Sequence, residues 1–244
     1  MSGDIQVKAF DFKPLYLQVK ERLTRRLIDG SWVPGQLIPS EMDLARELSV
    51  SQGTVRKALD TMTADNLLIR RQGRGTYVAS PEESRILFNF FRMVPDNGER
   101  AFPDSCIVRR VKGKATRAEM SMLALAEGAD VWRIERVRTL AATPLIVETI
   151  VLPASRFPGF TKLGDIPNNV YRLYSDNWGI TIASAVERLK AVAASKRDAA
   201  QLECAPGTPL LEIARVASDL AQDPVELRIS RCRTDEVHYR ADLK

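Results

Sequence analysis

One stretch decides the fold of the first eighty residues, PSEMDLARELSVSQGTVRKALDTM at positions 39–62. Ser40 followed three residues later by Asp43 is the N-cap signal of a helix. Ser51 can cap a further helix. The buried face of that helix is marked by apolar residues three or four positions apart: Val55, Ala58, Leu59 and Met62. Two capped helices separated by a short break predict a helix-turn-helix.

The sequence on both sides extends this unit. Pro14 can open a helix before it, because the missing N–H of proline is not needed in a first helical turn, and Gly30 is a stop signal. After it, an apolar run leads into RRQGRG at 70–75 and TYV at 76–78, which is typical of a hairpin with a basic, glycine-containing tip. This order predicts a winged helix-turn-helix.

In such a fold the helix after the turn enters the major groove of DNA. Glutamine can make a paired contact to adenine and arginine to guanine, and helix N-terminal amides favour phosphate. The expected DNA contacts are residues of this helix start and of the hairpin tip: Ser51, Gln52, Gly53, Thr54, Arg56, Lys57, Arg71, Gln72, Gly73 and Arg74. A solvated charged face beside a structural hairpin would account for each residue alone, but not for the order in which they occur.

Residues 14–79 resemble the DNA-binding domain of the GntR family of bacterial regulators. The motifs that carry the resemblance are PLYLQ at 14–18, GQLIPSE at 35–41, LA at 44–45, VS at 50–51, TVRKAL at 54–59 and GRGTYV at 73–78. The resemblance implies DNA binding and adds Ser40 and Glu41 to the expected contacts. Family members often carry arginine where this chain has Gln52, and some where it has Met42, so their base preference does not transfer.

Composition narrows the function classes. The 244-residue chain has a net charge of +5, which permits phosphate binding. Its three cysteines are far apart and it has one histidine, so a disulfide framework, a cysteine-rich zinc site or a multi-histidine centre is not expected, and no metal or cofactor is assigned. Without an apolar run near the ~18 residues of a membrane helix, or a signal peptide, the expected location is the cytoplasm, with no membrane partner.

A linker is expected at 81–87, between a DNA-binding domain at 10–80 and a second domain at 88–242. The second domain repeats itself 79 residues apart, because TRAE at 116–119 and SKRD at 195–198 are both capping boxes. Gly128 and Gly207 are expected to end the two helices. Each copy then reads strand, turn, strand, which predicts an α+β domain with one antiparallel sheet covered by helices.

Charged residues interrupt the apolar faces of these strands. Side chains alternate along a strand, so Arg136 and Arg138 share a face with Trp132, and Glu148 shares one with Ile146. Arg215 and Glu226 occupy similar places in the repeat. Charges on a covered face are costly unless paired. They indicate either structural Arg–Glu pairs or a pocket whose arginines bind an anion, a carboxylate or a phosphate, through forked hydrogen bonds.

Residues 88–240 resemble the UTRA effector domain of the HutC subfamily, which is related in fold to chorismate lyase. The matching segments are ERVR at 135–138, PLIVE at 144–148, FPG at 157–159, GTPLL at 207–211 and PVE at 224–226. The resemblance implies an effector pocket lined by Arg136, Arg138, Glu148, Asn169, Tyr171 and Glu226. Some relatives that sense sugar phosphates have serine at the position of Asn169 and tyrosine at that of Cys232, which argues against a sugar-phosphate effector.

Three functions are compatible with these observations. The first is a repressor that binds an inverted repeat of double-stranded DNA as a homodimer and responds to a small, anionic effector. The second is a lyase-like enzyme acting on a small carboxylate, with a vestigial DNA-binding head; no catalytic set of residues is found, so the expectation is that the chain is not an enzyme. The third is an architectural DNA binder, against which the charged residues on apolar strand faces argue.

A register prediction makes the pocket testable. If Arg138 lies opposite Glu148, then Arg136, Arg138 and Glu148 face one cavity, because directly opposed residues of an antiparallel pair share a face. This pairing requires a five-residue loop at 141–145 with Pro144 outside the ladder, or a bulge with the same effect. A four-residue loop would place Glu148 on the other face.

Overall fold

The computed structural model describes residues 13–65, 67–79, 91–97 and 103–241. The chain divides into two compact units, residues 1–80 and 81–244. The predicted linker, 81–87, lies outside the described residues. Among the described residues, no helix is long and apolar enough to cross a membrane.

The described part of the first unit contains three helices and a hairpin, in the predicted order. They are α1 (Leu15–Ile28), α2 (Glu41–Leu48), α3 (Gln52–Ala64), β1 (Leu68–Arg71) and β2 (Gly75–Val78). The strands β1 and β2 are antiparallel. This is the winged helix-turn-helix that the sequence predicts.

The caps of α2 and α3 form as predicted. The Ser40 side chain accepts a hydrogen bond from the amide of Asp43 at 3.2 Å, and the Ser51 side chain accepts one from the amide of Thr54 at 3.1 Å. Ser49 ends α2 in the left-handed region, with φ 55°. The helices are held together by fully buried apolar side chains: Leu23, Leu44, Val55, Ala58 and Met62.

Within its described residues, the second unit has eight strands and three α-helices, besides one short 3-10 helix. In chain order they are β3 (Met93–Pro95), β4 (Asp104–Lys114), α4 (Arg117–Leu123), β5 (Asp130–Leu140), β6 (Thr143–Pro153), α5 (Val170–Trp178), β7 (Ile182–Ala193), α6 (Lys196–Leu202), β8 (Pro209–Asp219), β9 (Pro224–Cys232) and β10 (Val237–Tyr239). Six strands form an antiparallel sheet in the order β4-β5-β6-β9-β8-β7, and β3 pairs with β10 separately.

The internal repeat organises this sheet. The units β4-α4-β5-β6 and β7-α6-β8-β9 meet where β6 pairs with β9. Both predicted capping boxes are present, at Thr116 and Ser195. The prediction that Gly128 and Gly207 end the helices is wrong, because α4 and α6 end earlier, at residues 123 and 202, and the glycines lie in the turns that follow.

The pairing of β5 with β6 places Arg136 opposite Glu148 and Arg138 opposite Ile146. The predicted pairing of Arg138 with Glu148 is therefore wrong, because the observed partner of Arg138 lies two residues earlier on β6. Its consequence is confirmed, because Arg136, Arg138 and Glu148 still project from one face of the sheet.

The turn between these strands also differs from the predicted loop. Ala141 and Ala142 form a two-residue turn with φ of 46° and 65°, and Pro144 pairs with Thr139 inside the ladder. The register then shifts past Leu145, and this bulge has the effect expected of an odd-length loop. Positive φ at such a turn normally requires glycine, asparagine or aspartate, so the two alanines carry no signal for it.

The two faces of the sheet are covered by different elements. The face that carries Arg136 is covered by α5 and by a short 3-10 helix (Phe160–Lys162), which form an aromatic core against Trp132 and Ile134. On the opposite face, α4 packs against β9 and α6 packs against β6. Arg136 and Arg138 of β5 and Glu148 of β6 thus lie on the face that meets α5.

Candidate functional site

A cavity lies on the α5 side of the sheet, with about 710 Å³ of empty space when the part that opens to solvent is included. Five of the six predicted effector residues line it: Arg136, Arg138, Glu148, Asn169 and Tyr171. Two neighbouring strands and one helix therefore bring the predicted residues together.

Glu148 is the centre of the charge network. Its Oε1 accepts from Nε of Arg136 at 2.5 Å, its Oε2 accepts from the Ser230 hydroxyl at 2.8 Å, and Nη1 of Arg228 lies 3.7 Å away. Burial alone would raise the pKa of Glu148, but the neighbouring arginines, Arg136 foremost, hold it well below its ordinary value. Glu148 is therefore an ionised carboxylate at the floor of the cavity.

Arg138 occupies a different environment on the same strand. Its Nη2 donates to the side-chain oxygen of Asn168 at 3.2 Å, and its guanidinium carbon lies 4.7 Å from the centre of the Phe91 ring. Burial lowers the pKa of Arg138 to about 9; Glu148 opposes this shift and Arg136 adds to it. The cavity wall is thus rich in desolvated positive charge at this position.

Glu226 does not belong to the described lining of the cavity, which corrects the prediction for this residue. Its side chain is 0% exposed and accepts from the hydroxyls of Tyr171 at 3.2 Å and Tyr174 at 2.7 Å. Arg228 completes the set with two hydrogen bonds of 2.8 Å to the two carboxylate oxygens. Glu226 lies behind the wall and holds two lining side chains, Tyr171 and Arg228.

The start of α5 closes one end of the cavity. Asn169 is the N-cap of this helix, and its side-chain oxygen accepts from the amide of Arg172 at 3.2 Å. Asn168 bridges the wall, since its side-chain Nδ2 donates to the backbone carbonyl of Pro103 at 2.6 Å and its own backbone carbonyl accepts from Nη1 of Arg136 at 3.3 Å. Its contacts come from distant chain segments, so sequence reasoning had no signal for Asn168.

Other lining residues were also missed as site residues. Arg228 and Ser230 follow Glu226 at alternate positions of β9, so they share its face. The alternation rule that identified Arg136 and Arg138 could have found them. Arg215, identified as a charged residue on an apolar strand face but not as a pocket residue, lines the cavity and pairs with Glu187 at 2.5 Å.

Three of the predicted DNA contacts, Glu41, Gln52 and Arg56, lie in hydrogen-bonding contact with one another. Glu41, at the start of α2, accepts from Nε of Arg56 at 2.9 Å, from the Gln52 amide at 3.3 Å and from Nη2 of Arg70 at 3.2 Å. Burial alone would raise the pKa of Glu41, but its hydrogen bond with Arg56, the largest influence, lowers it. Ser40, Ser51, Gln52, Gly53, Arg56 and Lys57 are exposed and Thr54 is half-buried.

The hairpin tip is exposed from Arg71 to Arg74, with Gln72 and Gly73 in the turn. The guanidinium of Arg71 lies 4.7 Å from the centre of the Tyr77 ring, and the Tyr77 hydroxyl donates to the carbonyl of Arg74 at 3.2 Å. Gly73 has φ +69°, in the left-handed region that glycine favours. These contacts fix the shape of the tip and leave its basic side chains facing water.

Comparison with known proteins places the chain in a family. Residues 15–78 match the family of bacterial regulatory proteins named gntR, and residues 102–238 match the UTRA domain. The histidine utilization repressor of Pseudomonas putida is 30% identical over 203 residues, which cover 83% of this chain and 81% of that protein. A relative in Escherichia coli (strain K12), named for repression of the fructoselysine utilization operon, is 29% identical over 232 residues, covering 94% and 95%.

Comparison with solved structures leads to the same family. PhnF from Mycobacterium smegmatis superposes with a TM-score of 0.55 at 27% identity, over 93% of this chain and 99% of that one. The chain belongs to the GntR family of transcription regulators and carries the UTRA domain of the HutC subfamily. Members of this family bind DNA operators, bind small-molecule effectors through the UTRA domain, and are not enzymes. This confirms the expected absence of enzyme activity and removes the lyase-like alternative.

Proposed function

We propose that this chain is a repressor that binds an inverted-repeat operator as a homodimer and loses operator affinity when a small anionic metabolite occupies the cavity beside α5. Two of the relatives named above, from Pseudomonas putida and Escherichia coli, carry the name of repressors, which supports repression as the direction of control. Symmetric half-sites require a two-fold protein, which supports the dimer.

One observation supports the proposal that the effector is an anion. Arg138 is buried and its pKa is lowered to about 9, because desolvation and neighbouring guanidinium groups disfavour its charge. Burying a charge is costly in a protein that only has to fold. A carboxylate or phosphate at this position would offset that cost with forked, charge-assisted hydrogen bonds.

The remaining polar groups of the cavity suit the rest of such a molecule. Glu148 can accept a hydrogen bond from an amine or hydroxyl group, and the hydroxyls of Ser230 and Tyr171 can both donate and accept. Apolar lining side chains such as Ile146 and Ile213 leave room for a short carbon skeleton. The effector class that fits is a small organic acid with at least one additional polar group.

The contact between Arg138 and Phe91 suggests how occupancy reaches the DNA-binding unit. Phe91 lies two residues before β3, and its ring lies 4.7 Å from the guanidinium carbon of Arg138. A cation–π contact of this kind stabilises by about 0.5–2 kcal/mol. An anion that draws Arg138 toward itself weakens this contact with the N-terminal part of the second unit.

A thermal-shift screen of the full chain tests the proposal. Small carboxylates, phosphates and amino-acid catabolites are the compounds to compare. A ligand at 100 times its dissociation constant stabilises the protein by about 2.7 kcal/mol, which such a screen detects. We expect an acid to raise the unfolding temperature of the wild type and of Arg133→Met, a control on the same strand but the opposite face. The same acid should not raise the unfolding temperature of Arg138→Met. A pocket that responds to neutral compounds only would contradict the proposal.

A further inference from the structure

Glu41 is an unusual residue for a surface that faces DNA. A carboxylate there repels phosphate, and removing it from water costs free energy. Its side chain is only 23% exposed, and it accepts hydrogen bonds from Arg56, Gln52 and Arg70. The family resemblance counts Glu41 among the DNA contacts, but these bonds indicate a different role.

The Arg56 guanidinium meets Glu41 along one edge. Its Nε lies 2.9 Å and its Nη2 lies 2.8 Å from the same oxygen, Oε2. A guanidinium has five N–H donors in a fixed plane, so this contact leaves the edge formed by Nη1 and the second hydrogen of Nη2. That edge presents two parallel donors, which is the geometry that pairs with O6 and N7 of guanine in the major groove.

A second arginine compensates the charge of Glu41. Arg70 of β1 contacts Glu41 at 3.2 Å and Asp60 of α3 at 2.8 Å. Two guanidinium groups thus surround the Glu41 carboxylate, which reduces its repulsion of a DNA backbone. The same contacts connect α2, α3 and the hairpin, so they fix the position of Glu41 relative to Arg56.

Holding the Arg56 side chain in one orientation before DNA binds lowers the entropic cost of its contact with a base. An exposed arginine loses up to about 2 kcal/mol of side-chain rotamer freedom when it is ordered in a complex. Arg56 is 57% exposed, so without Glu41 little in the described unit would hold it. A side chain that is oriented before DNA arrives pays less of this cost on binding.

We infer that Glu41 is a positioning residue: it orients Arg56 so that the Nη1/Nη2 edge reads a guanine, while Glu41 itself makes no contact with DNA. This inference rests on the proposed operator binding by α3.

The test uses the full chain and a random-duplex library. The sequence that the wild type selects is then resynthesised with each single base-pair change, and affinities are measured at fixed salt. Arg56→Ala should lose preference at one guanine position of the half-site. Glu41→Ala should lose about tenfold of the discrimination at that same position, within the range for one base pair. Glu41→Gln keeps a hydrogen-bond acceptor for Arg56 and should retain part of this discrimination.

A matched control separates positioning from charge. Asp60→Ala also removes a carboxylate that contacts Arg70, but Asp60 makes no described hydrogen bond to Arg56. Both Glu41→Ala and Asp60→Ala should bind random-sequence DNA more tightly, because each removes a negative charge. Only Glu41→Ala should lose the guanine preference, and with an unchanged unfolding temperature this excludes a purely structural role.

The outcomes are distinguishable. If Glu41→Ala keeps the guanine preference that Arg56→Ala loses, or loses preference evenly at all positions, the positioning role is overturned and operator binding stands. If the wild type selects no sequence at all, the proposed function fails, and the positioning role fails with it.

Discussion

Replacing Arg138 with methionine should stabilise the ligand-free protein while removing its response to anions. The pKa of Arg138 falls from an ordinary 12.5 to about 9, which corresponds to roughly 5 kcal/mol at 1.36 kcal/mol per pH unit. This is an upper bound on what the buried charge costs. The substitution also removes the hydrogen bond to Asn168 and the contact with Phe91, worth together about 2–5 kcal/mol. We expect a net gain of up to about 3 kcal/mol.

The pH dependence of this gain has a definite sign. Because the pKa of Arg138 is lower in the folded chain than in the unfolded chain, the penalty is fully present below pH 9. It is relieved as the pH rises from about 9 toward 12.5, where the unfolded chain binds more protons than the folded one. The advantage of Arg138→Met over the wild type should therefore be constant near neutral pH and shrink above pH 9.

Scanning calorimetry of the full chain measures this difference. A gain of 1 kcal/mol raises the unfolding temperature of a unit of this size by roughly 2–4 °C. Arg136→Met is the matched control, because Arg136 pairs with Glu148 at 2.5 Å, and breaking a buried pair costs about 3–5 kcal/mol. The two variants should shift in opposite directions. A destabilised Arg138→Met would refute the view that this arginine is retained for binding an anion.

Three further predictions concern the DNA-binding unit and the assembly. Arg56→Ala should weaken operator binding by roughly 1–3 kcal/mol, whereas Arg74→Ala should weaken specific and non-specific binding alike and flatten the salt dependence. Gel shifts at several salt concentrations distinguish the two variants. A double variant that shifts operator DNA normally would contradict both predictions. Gly75→Ala should distort the hairpin, because φ is +103° and the new Cβ would lie 2.8 Å from Cδ1 of Leu37; weaker non-specific binding is the readout, and wild-type binding the contrary result. Sedimentation of the full chain at micromolar concentration should give a dimer, and a monomer would oppose the proposed assembly.

Much of this architecture was accessible from local sequence signals. Caps and helical periodicity predict the first unit, because each signal there acts within a few residues. Alternation along β5 and β6 places Arg136, Arg138 and Glu148 on one face, because the face depends only on whether positions are odd or even. The exact register was not accessible, since a bulge past Leu145 and a turn formed by two alanines carry no sequence signature.

The elements that were missed share a physical cause. The strands β4 and β7 form the two edges of the sheet and alternate between half-buried and exposed positions, so their apolar pattern is weak. Asn168 and Glu226 owe their roles to partners far away in sequence: Pro103 for one and Tyr171 for the other. Such long-range contacts decide whether a polar residue lines a cavity or supports its wall.

The central claim is that occupancy of the cavity controls the DNA-binding unit. The most direct test is the operator dissociation constant by fluorescence anisotropy, with and without the acid that stabilises the wild type, for the wild type and Arg138→Met. We predict that the acid weakens operator binding of the wild type by about 5–150-fold, the usual range of coupling between two sites, and leaves Arg138→Met unchanged at the same operator affinity. Equal release of both proteins, or a stabilising acid that leaves wild-type operator binding unaltered, would contradict the account.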